Sequence, residues 1–61
     1  MNNTDRIKEI IRDCGGSASI EEICKTYKER FDMIIFPEHI SLLKRMLKKA
    51  GYEYDDKDEK W

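Results

Sequence analysis

Apolar residues recur at the spacing of an α-helix in three separate stretches of the chain, and each stretch has a start or a stop signal. Gly15 and Gly16 end the first stretch, while Pro37 begins the third and Gly51 follows it. The pattern predicts helices over 4–14, 19–31 and 37–50. The apolar stripes of these helices are the expected core: Ile7, Ile10, Ile11, Cys14, Ile20, Ile23, Cys24, Tyr27, Phe31, Ile40, Leu43, Met46, Leu47 and Ala50.

Polar residues at two of the predicted helix starts are suited to capping. Thr4, followed by the acidic Asp5, is the expected N-cap of the first helix. Ser19 with Glu22 three residues later forms a capping box at the start of the second helix. Phe36 occupies the corresponding position before the third helix and has no side-chain oxygen with which to cap it.

The periodicity changes after Gly51. Tyr52 and Tyr54 alternate with acidic residues, which predicts a short strand. Residues 56–58 are typical of a turn, and residues 59–61 could return as a second strand, so a C-terminal β-hairpin is expected. A frayed acidic tail over residues 56–61 is the alternative. The aromatic side chains of Tyr52, Tyr54 and Trp61 are expected to close one end of the core, with stacking on nucleic-acid bases as the alternative.

The size of the chain bounds its function. Its 61 residues form a single domain, 1–61, and a chain this short buries only about 60% of the surface it exposes when unfolded. It holds one histidine, no nucleophile–base pair and no phosphate-binding loop, so neither an enzyme, a catalytic residue nor a cofactor is expected. The longest apolar run, Met33 to Phe36, is too short to span a membrane. We therefore expect a soluble, cytoplasmic protein.

Cysteine and histidine usage argues against a metal site. Cys14 and Cys24 lie on apolar helix faces and are expected to be reduced thiols in the core, with a disulfide between the first two helices as the alternative. His39 is the sole histidine, and no CxxC or HxxxH pair accompanies it. We expect His39 to pack against its neighbours or to cap its helix.

Positive charge is concentrated on the outer face of the third predicted helix. From Pro37 to Ala50 there are four basic residues and one acidic residue, a local charge of +3 in a chain whose net charge is −1. The segment from Glu53 to Lys60 has five acidic residues and two lysines, a local charge of −3. Attraction to a polyanion is therefore expected from the third helix alone, although a charged helix face is commonly only a solvated surface.

The order of these elements resembles the winged helix-turn-helix superfamily. The resemblance is carried by the segment Leu47 to Tyr54, which passes from the third helix into the wing, and by the core residues Ile7, Ile10, Ile11, Ile20, Ile23, Leu43 and Leu47. It implies a mostly α fold, with three helices and a short C-terminal β-hairpin. It also implies binding of duplex DNA, in transcription regulation, with the third helix in the major groove. Ser41, Arg45 and Lys48 would then face the bases, and Lys44 and Lys49 would lie near the phosphates.

Two alternatives remain open. The segment Gly15 to Phe31, followed by Leu43 and Leu47, is similar to the OST-HTH (LOTUS) branch, which implies a role in RNA regulation or in docking onto a helicase. An acidic wing and a second helix without net charge favour a winged-helix module that binds protein. Its docking surface would be formed by Leu42 and the segment Met33 to Phe36. The oligomeric state cannot be inferred from these residues.

Overall fold

Three α-helices and one 3₁₀ turn make up the regular structure of residues 2–61, the part of the chain that the computed structural model describes. They are α1 (Asn3–Asp13), α2 (Ile20–Phe31), the 3₁₀ turn (Pro37–His39) and α3 (Ile40–Lys49). The predicted bounds of α1 and α2 are correct to within one residue. The third predicted helix, 37–50, instead divides into the 3₁₀ turn and α3.

The predicted N-cap residue is correct for α2 and wrong for α1. Ser19 caps α2: its hydroxyl accepts a hydrogen bond from the backbone N–H of Glu22 at 3.2 Å and donates one to the Glu22 carboxylate, also at 3.2 Å. Thr4 lies inside α1, and the N-cap is Asn2, whose Oδ1 accepts from the backbone N–H of Asp5 at 2.9 Å. Both residue types cap helices well, so composition alone did not distinguish the two positions.

Glycines end α1 and α3 in the same way. Gly15 and Gly51 have φ angles of 92° and 98°, in the left-handed region that suits glycine. The backbone N–H of Gly16 then donates to the carbonyl of Ile11 at 2.9 Å, and that of Tyr52 donates to the carbonyl of Leu47 at 3.0 Å. These bonds satisfy carbonyls that the end of a helix leaves open, and they fix where the chain leaves each helix.

The connector between α2 and the 3₁₀ turn is mostly exposed. Of its four consecutive apolar residues, only Ile35 packs against the core. The side chains of Met33, Ile34 and Phe36 are exposed. Asp32, in the left-handed region at φ 53°, ends α2 and sets the direction of this extended segment.

The core lies between the three helices and follows the predicted stripes. Its buried members among residues 2–61 are Ile7, Ile10, Ile11, Ala18, Ile23, Tyr27, Leu43, Leu47 and Trp61. Other stripe residues, such as Ile20, Cys24 and Met46, are half-buried and pack against this cluster. The two core members outside the predicted helices are Ala18 and Trp61. An ion-pair group on the surface joins the first two helices, because Arg30 of α2 binds Asp13 and Glu9 of α1.

The predicted C-terminal hairpin is absent from the described residues. One isolated antiparallel bridge joins Asp55 and Lys60, and the residues between them form a turn. The Asp55 carboxylate accepts from the backbone N–H of Lys57 at 3.0 Å, which stabilises the turn. No strand forms because the pairing does not continue: Trp61 directs its backbone hydrogen bonds to another part of the chain.

Trp61 pairs with Ala18 in the connector between α1 and α2. The Trp61 N–H donates to the Ala18 carbonyl at 2.7 Å, and the Ala18 N–H donates to the Trp61 carbonyl at 3.1 Å. Both side chains are buried in the core. The alternative of a frayed tail over residues 56–61 is therefore wrong at residue 61, which is held by two backbone hydrogen bonds and by the burial of its indole.

Candidate nucleic-acid interface

The outer face of α3 carries the residues expected to contact nucleic acid. Ser41, Lys44, Arg45, Lys48 and Lys49 are all exposed. They lie on the polar side of a helix whose opposite side buries Leu43 and Leu47 in the core. Because residues three and four apart are neighbours on a helix, the five side chains form one continuous surface. We call this surface the basic face.

The cations of the basic face are unpaired. Within residues 2–61, no carboxylate oxygen lies within 4.0 Å of the side-chain nitrogens of Lys44, Arg45, Lys48 or Lys49. The cations on α2 differ, since Lys25 pairs with Glu29, Lys28 with Asp32, and Arg30 with Asp13 and Glu9. The four cations of α3 are therefore available to an external anion without the loss of an internal ion pair.

The entry to α3 carries Glu38 and His39. Both are exposed, and their side chains lie 3.8 Å apart, from His39 Nε2 to Glu38 Oε1. His39 makes no side-chain capping hydrogen bond, so the expected capping role is wrong. Its ring does contact Phe36 edge-on, with the centroids 5.9 Å apart. His39 lies in the 3₁₀ turn and not in the continuous α-helix that the sequence predicted.

A groove of about 300 Å³ borders the basic face on the side of the C-terminal turn. Lys44 and Lys48 line it together with Ile20, Tyr54 and Trp61. The rings of Tyr54 and Trp61 lie 5.2 Å apart, between centroids, at an angle of 51°. The expectation that all three C-terminal aromatics close the core is correct for Trp61, partly correct for Tyr52, which is half-buried, and wrong for Tyr54, which is 44% exposed. We call the groove that Lys44, Lys48, Ile20, Tyr54 and Trp61 line the lysine–tyrosine groove.

A second groove, of about 350 Å³, lies on the other side of α3 and is mainly apolar. Leu42 and Met46 of α3 line it, with Met33 and Ile34 from the connector and Asn3 from α1. The exposed fractions of Leu42 and Ile34 are 52% and 61%. Leu42 and the connector, which the sequence suggested as a docking patch, therefore do lie side by side.

The cysteines lie apart from both grooves. Cys14 and Cys24 are free and half-buried, and the Cys14 sulfur lies 3.5 Å from the Thr26 hydroxyl. Burial raises the pKa of the Cys24 thiol and also that of the Tyr27 phenol. Among residues 2–61, no three potential metal ligands of the types His, Cys, Asp and Glu are grouped to hold an ion. None of the helices in the same range is long and apolar enough to cross a bilayer.

The geometry defines a small, mostly α domain of three helices with one basic face and two flanking grooves. Comparison of the chain with known protein families, with characterised proteins and with solved structures finds no match. The chemistry of its surface is therefore the basis on which a function is proposed.

Sequence reasoning identified the basic face but not the lysine–tyrosine groove. The four-residue spacing of Lys44 and Lys48 is visible in the sequence, and so is the alternation of Tyr54 with acidic residues. The missing information was the position of Trp61. The pairing of Trp61 with Ala18 could not be predicted from spacing, because it joins residues from opposite halves of the chain.

Proposed function

We propose that the protein binds duplex DNA through the basic face of α3, in the manner of a small helix-turn-helix regulator. The third helix lies in the major groove, whose width admits an α-helix. Arg45, with Ser41 one turn before it, reads base edges. Lys44, Lys48 and Lys49 contact phosphates. The acidic C-terminal turn stays outside the interface.

The observation that carries this proposal is the set of unpaired cations on α3. An ion pair within the protein must be broken or shared before its cation can neutralise a phosphate, and α3 has no such pair with any other residue of 2–61. The opposite side of α3 is anchored in the core by Leu43 and Leu47. The basic face is thus presented by a rigid element, as groove recognition requires.

The first prediction concerns the salt dependence of duplex binding. Each phosphate neutralised contributes about −0.9 to the slope of log affinity against log salt, so the three lysines assigned to phosphates give a slope of about −2.7. Fluorescence anisotropy with a labelled duplex of random sequence, titrated at several salt concentrations, measures this slope. Lys48→Ala should make it shallower by about one phosphate and weaken binding to all sequences alike.

Arg45→Ala should behave differently, because its guanidinium is assigned to a base. On a selected site it should cost about 1–3 kcal/mol and reduce the discrimination between sequences. Lys25→Ala is the matched control, since Lys25 is an exposed helical cation that pairs with Glu29 on α2. Absence of duplex binding at low salt, or equal effects of the α2 and α3 substitutions, would refute the proposal.

Substitutions in the acidic C-terminal turn should strengthen duplex binding, whereas those on α3 should weaken it. Asp56 and Asp58 are exposed and belong to the segment whose local charge is −3. Replacing both by asparagine should strengthen duplex binding, because it removes repulsion of phosphates without removing a contact. Weaker binding by this variant would place the turn in the interface and contradict the proposed orientation.

The apolar groove favours a second candidate function, a module that docks onto another protein. Three apolar side chains that line it, Met33, Ile34 and Leu42, are 38–61% exposed. Leu42→Ser with Ile34→Ser should abolish such docking and leave duplex binding unchanged. Parallel assays of DNA binding and of self-association would separate the two candidates. No feature of the surface specifically favours the OST-HTH-like role in RNA regulation.

A further inference from the structure

The lysine–tyrosine groove combines two ammonium groups with an accessible aromatic ring. Lys44 and Lys48 are four residues apart on α3, so their side chains leave the helix one above the other. No carboxylate oxygen within residues 2–61 lies within 4.0 Å of either nitrogen. A phosphate group between these lysines would gain two charge-assisted hydrogen bonds and displace no internal partner.

Tyr54 supplies a ring at the same groove. It is 44% exposed, whereas the neighbouring Trp61 is only 6% exposed and is anchored by two backbone hydrogen bonds to Ala18. The 5.2 Å contact between the two rings supports Tyr54 from the core side. A ring held in this way presents surface to a nucleobase, and stacking of this kind tolerates every base because every base has a π-face.

The indole of Trp61 forms part of the wall of the groove. Its Nε1 is buried and has no hydrogen-bond acceptor among the described residues. Because this nitrogen is screened from solvent, Trp61 offers a ligand apolar surface and not a hydrogen bond.

We propose that the lysine–tyrosine groove binds single-stranded nucleic acid. One nucleotide occupies it, with its phosphate between Lys44 and Lys48 and its base on Tyr54. The volume of about 300 Å³ is at the small end of the range for ligand sites, about 300–1,000 Å³. The site goes beyond duplex binding by the basic face: it shares the two lysines but not Arg45. Glu53 and Asp55 flank Tyr54 in the sequence, so the affinity at physiological salt is low.

Trp61 makes the site easy to test because it is the chain's only tryptophan. An oligothymidylate of about eight nucleotides, long enough for a single-strand site, is titrated into the whole chain at low salt while tryptophan fluorescence is recorded. Saturable quenching is expected. Tyr54→Ala should weaken oligothymidylate binding about tenfold, the effect of losing one stacked base, while Tyr54→Phe retains the ring and the binding. Oligouridylate in a parallel titration shows whether the site distinguishes DNA from RNA.

Binding of duplex DNA and the variant Arg45→Ala separate this single-strand site from duplex binding by the basic face. Tyr54→Ala should leave duplex binding unchanged, and Arg45→Ala should weaken duplex binding while sparing the oligothymidylate. Inorganic polyphosphate and polyglutamate test for simple attraction of anions. If either matches the oligothymidylate, or if Tyr54→Ala binds it as tightly as the original protein, the site is refuted. Loss of duplex binding alone would refute the proposed function and leave this site standing.

Discussion

At the scale of single residues, the two cysteines show that residues of one apolar helix stripe differ in how deeply they are buried. Cys14 and Cys24 both fall on predicted apolar faces, yet both are half-buried and lie at the margin of the core. Their stripe neighbours Ile11 and Ile23 are fully buried. Periodicity gives the face on which a residue lies, but its depth depends on which element packs over it, and that is decided by the whole fold.

Slow modification of the thiols follows from this environment. Burial raises the pKa of Cys24, which lowers the fraction of reactive thiolate at neutral pH, and the partial cover of both sulfurs limits access. With iodoacetamide at neutral pH, both thiols should react more slowly in the native protein than after denaturation. The Cys14→Ser and Cys24→Ser variants each retain one thiol and so assign the rates. Native rates equal to the denatured ones would show that the faces of α1 and α2 are misplaced.

At the scale of the elements, the cap of α2 is the clearest case in which local sequence determines local structure. Ser19→Ala removes the oxygen that accepts from the Glu22 N–H and should lower the free energy of unfolding by about 1 kcal/mol. Ser17→Ala is the matched control, because Ser17 is exposed and lies outside the helix. Urea denaturation followed by circular dichroism measures both variants. Equal stabilities would mean that the Ser19 hydroxyl contributes nothing to the helix.

The helices could be predicted and the C-terminal segment could not, for one physical reason. Caps, glycine stops and apolar spacing act within a few residues, so α1, α2 and the body of α3 follow from nearby sequence. The path after Gly51 depends on contacts between Trp61 and Ala18, which are distant in the chain. The same limit applies to the candidate sites. Lys44, Arg45 and Lys48 were identifiable from one helix, whereas Tyr54 joins them only through the placement of Trp61.

At the scale of the whole molecule, Trp61 contributes to stability from outside the three helices. It is one of nine buried residues in the core of a chain that has little core to spare. Trp61→Ala should lower the free energy of unfolding by about 3–5 kcal/mol, a large part of the stability of so small a domain. Trp61→Phe should cost clearly less, because it keeps an aromatic ring and also removes the unpartnered indole N–H.

Thermal unfolding followed by circular dichroism at 222 nm compares the two variants on one scale. Tyr54→Ala is a suitable control, since Tyr54 contacts Trp61 but is itself exposed. If Trp61→Ala melts at the same temperature as the original protein, the indole is not part of the folding unit. The C-terminal turn would then be an appendage to a self-sufficient three-helix core.

The pairing of Ala18 with Trp61 also has a kinetic consequence. Contacts within each helix form between near neighbours and are rapid, whereas this pairing must wait for the closure of a loop that contains α2, α3 and the turn. We therefore expect this pairing to form late in folding. The Ala18 amide donates to the Trp61 carbonyl, so its hydrogen-exchange rate should measure how often Trp61 leaves the connector between α1 and α2.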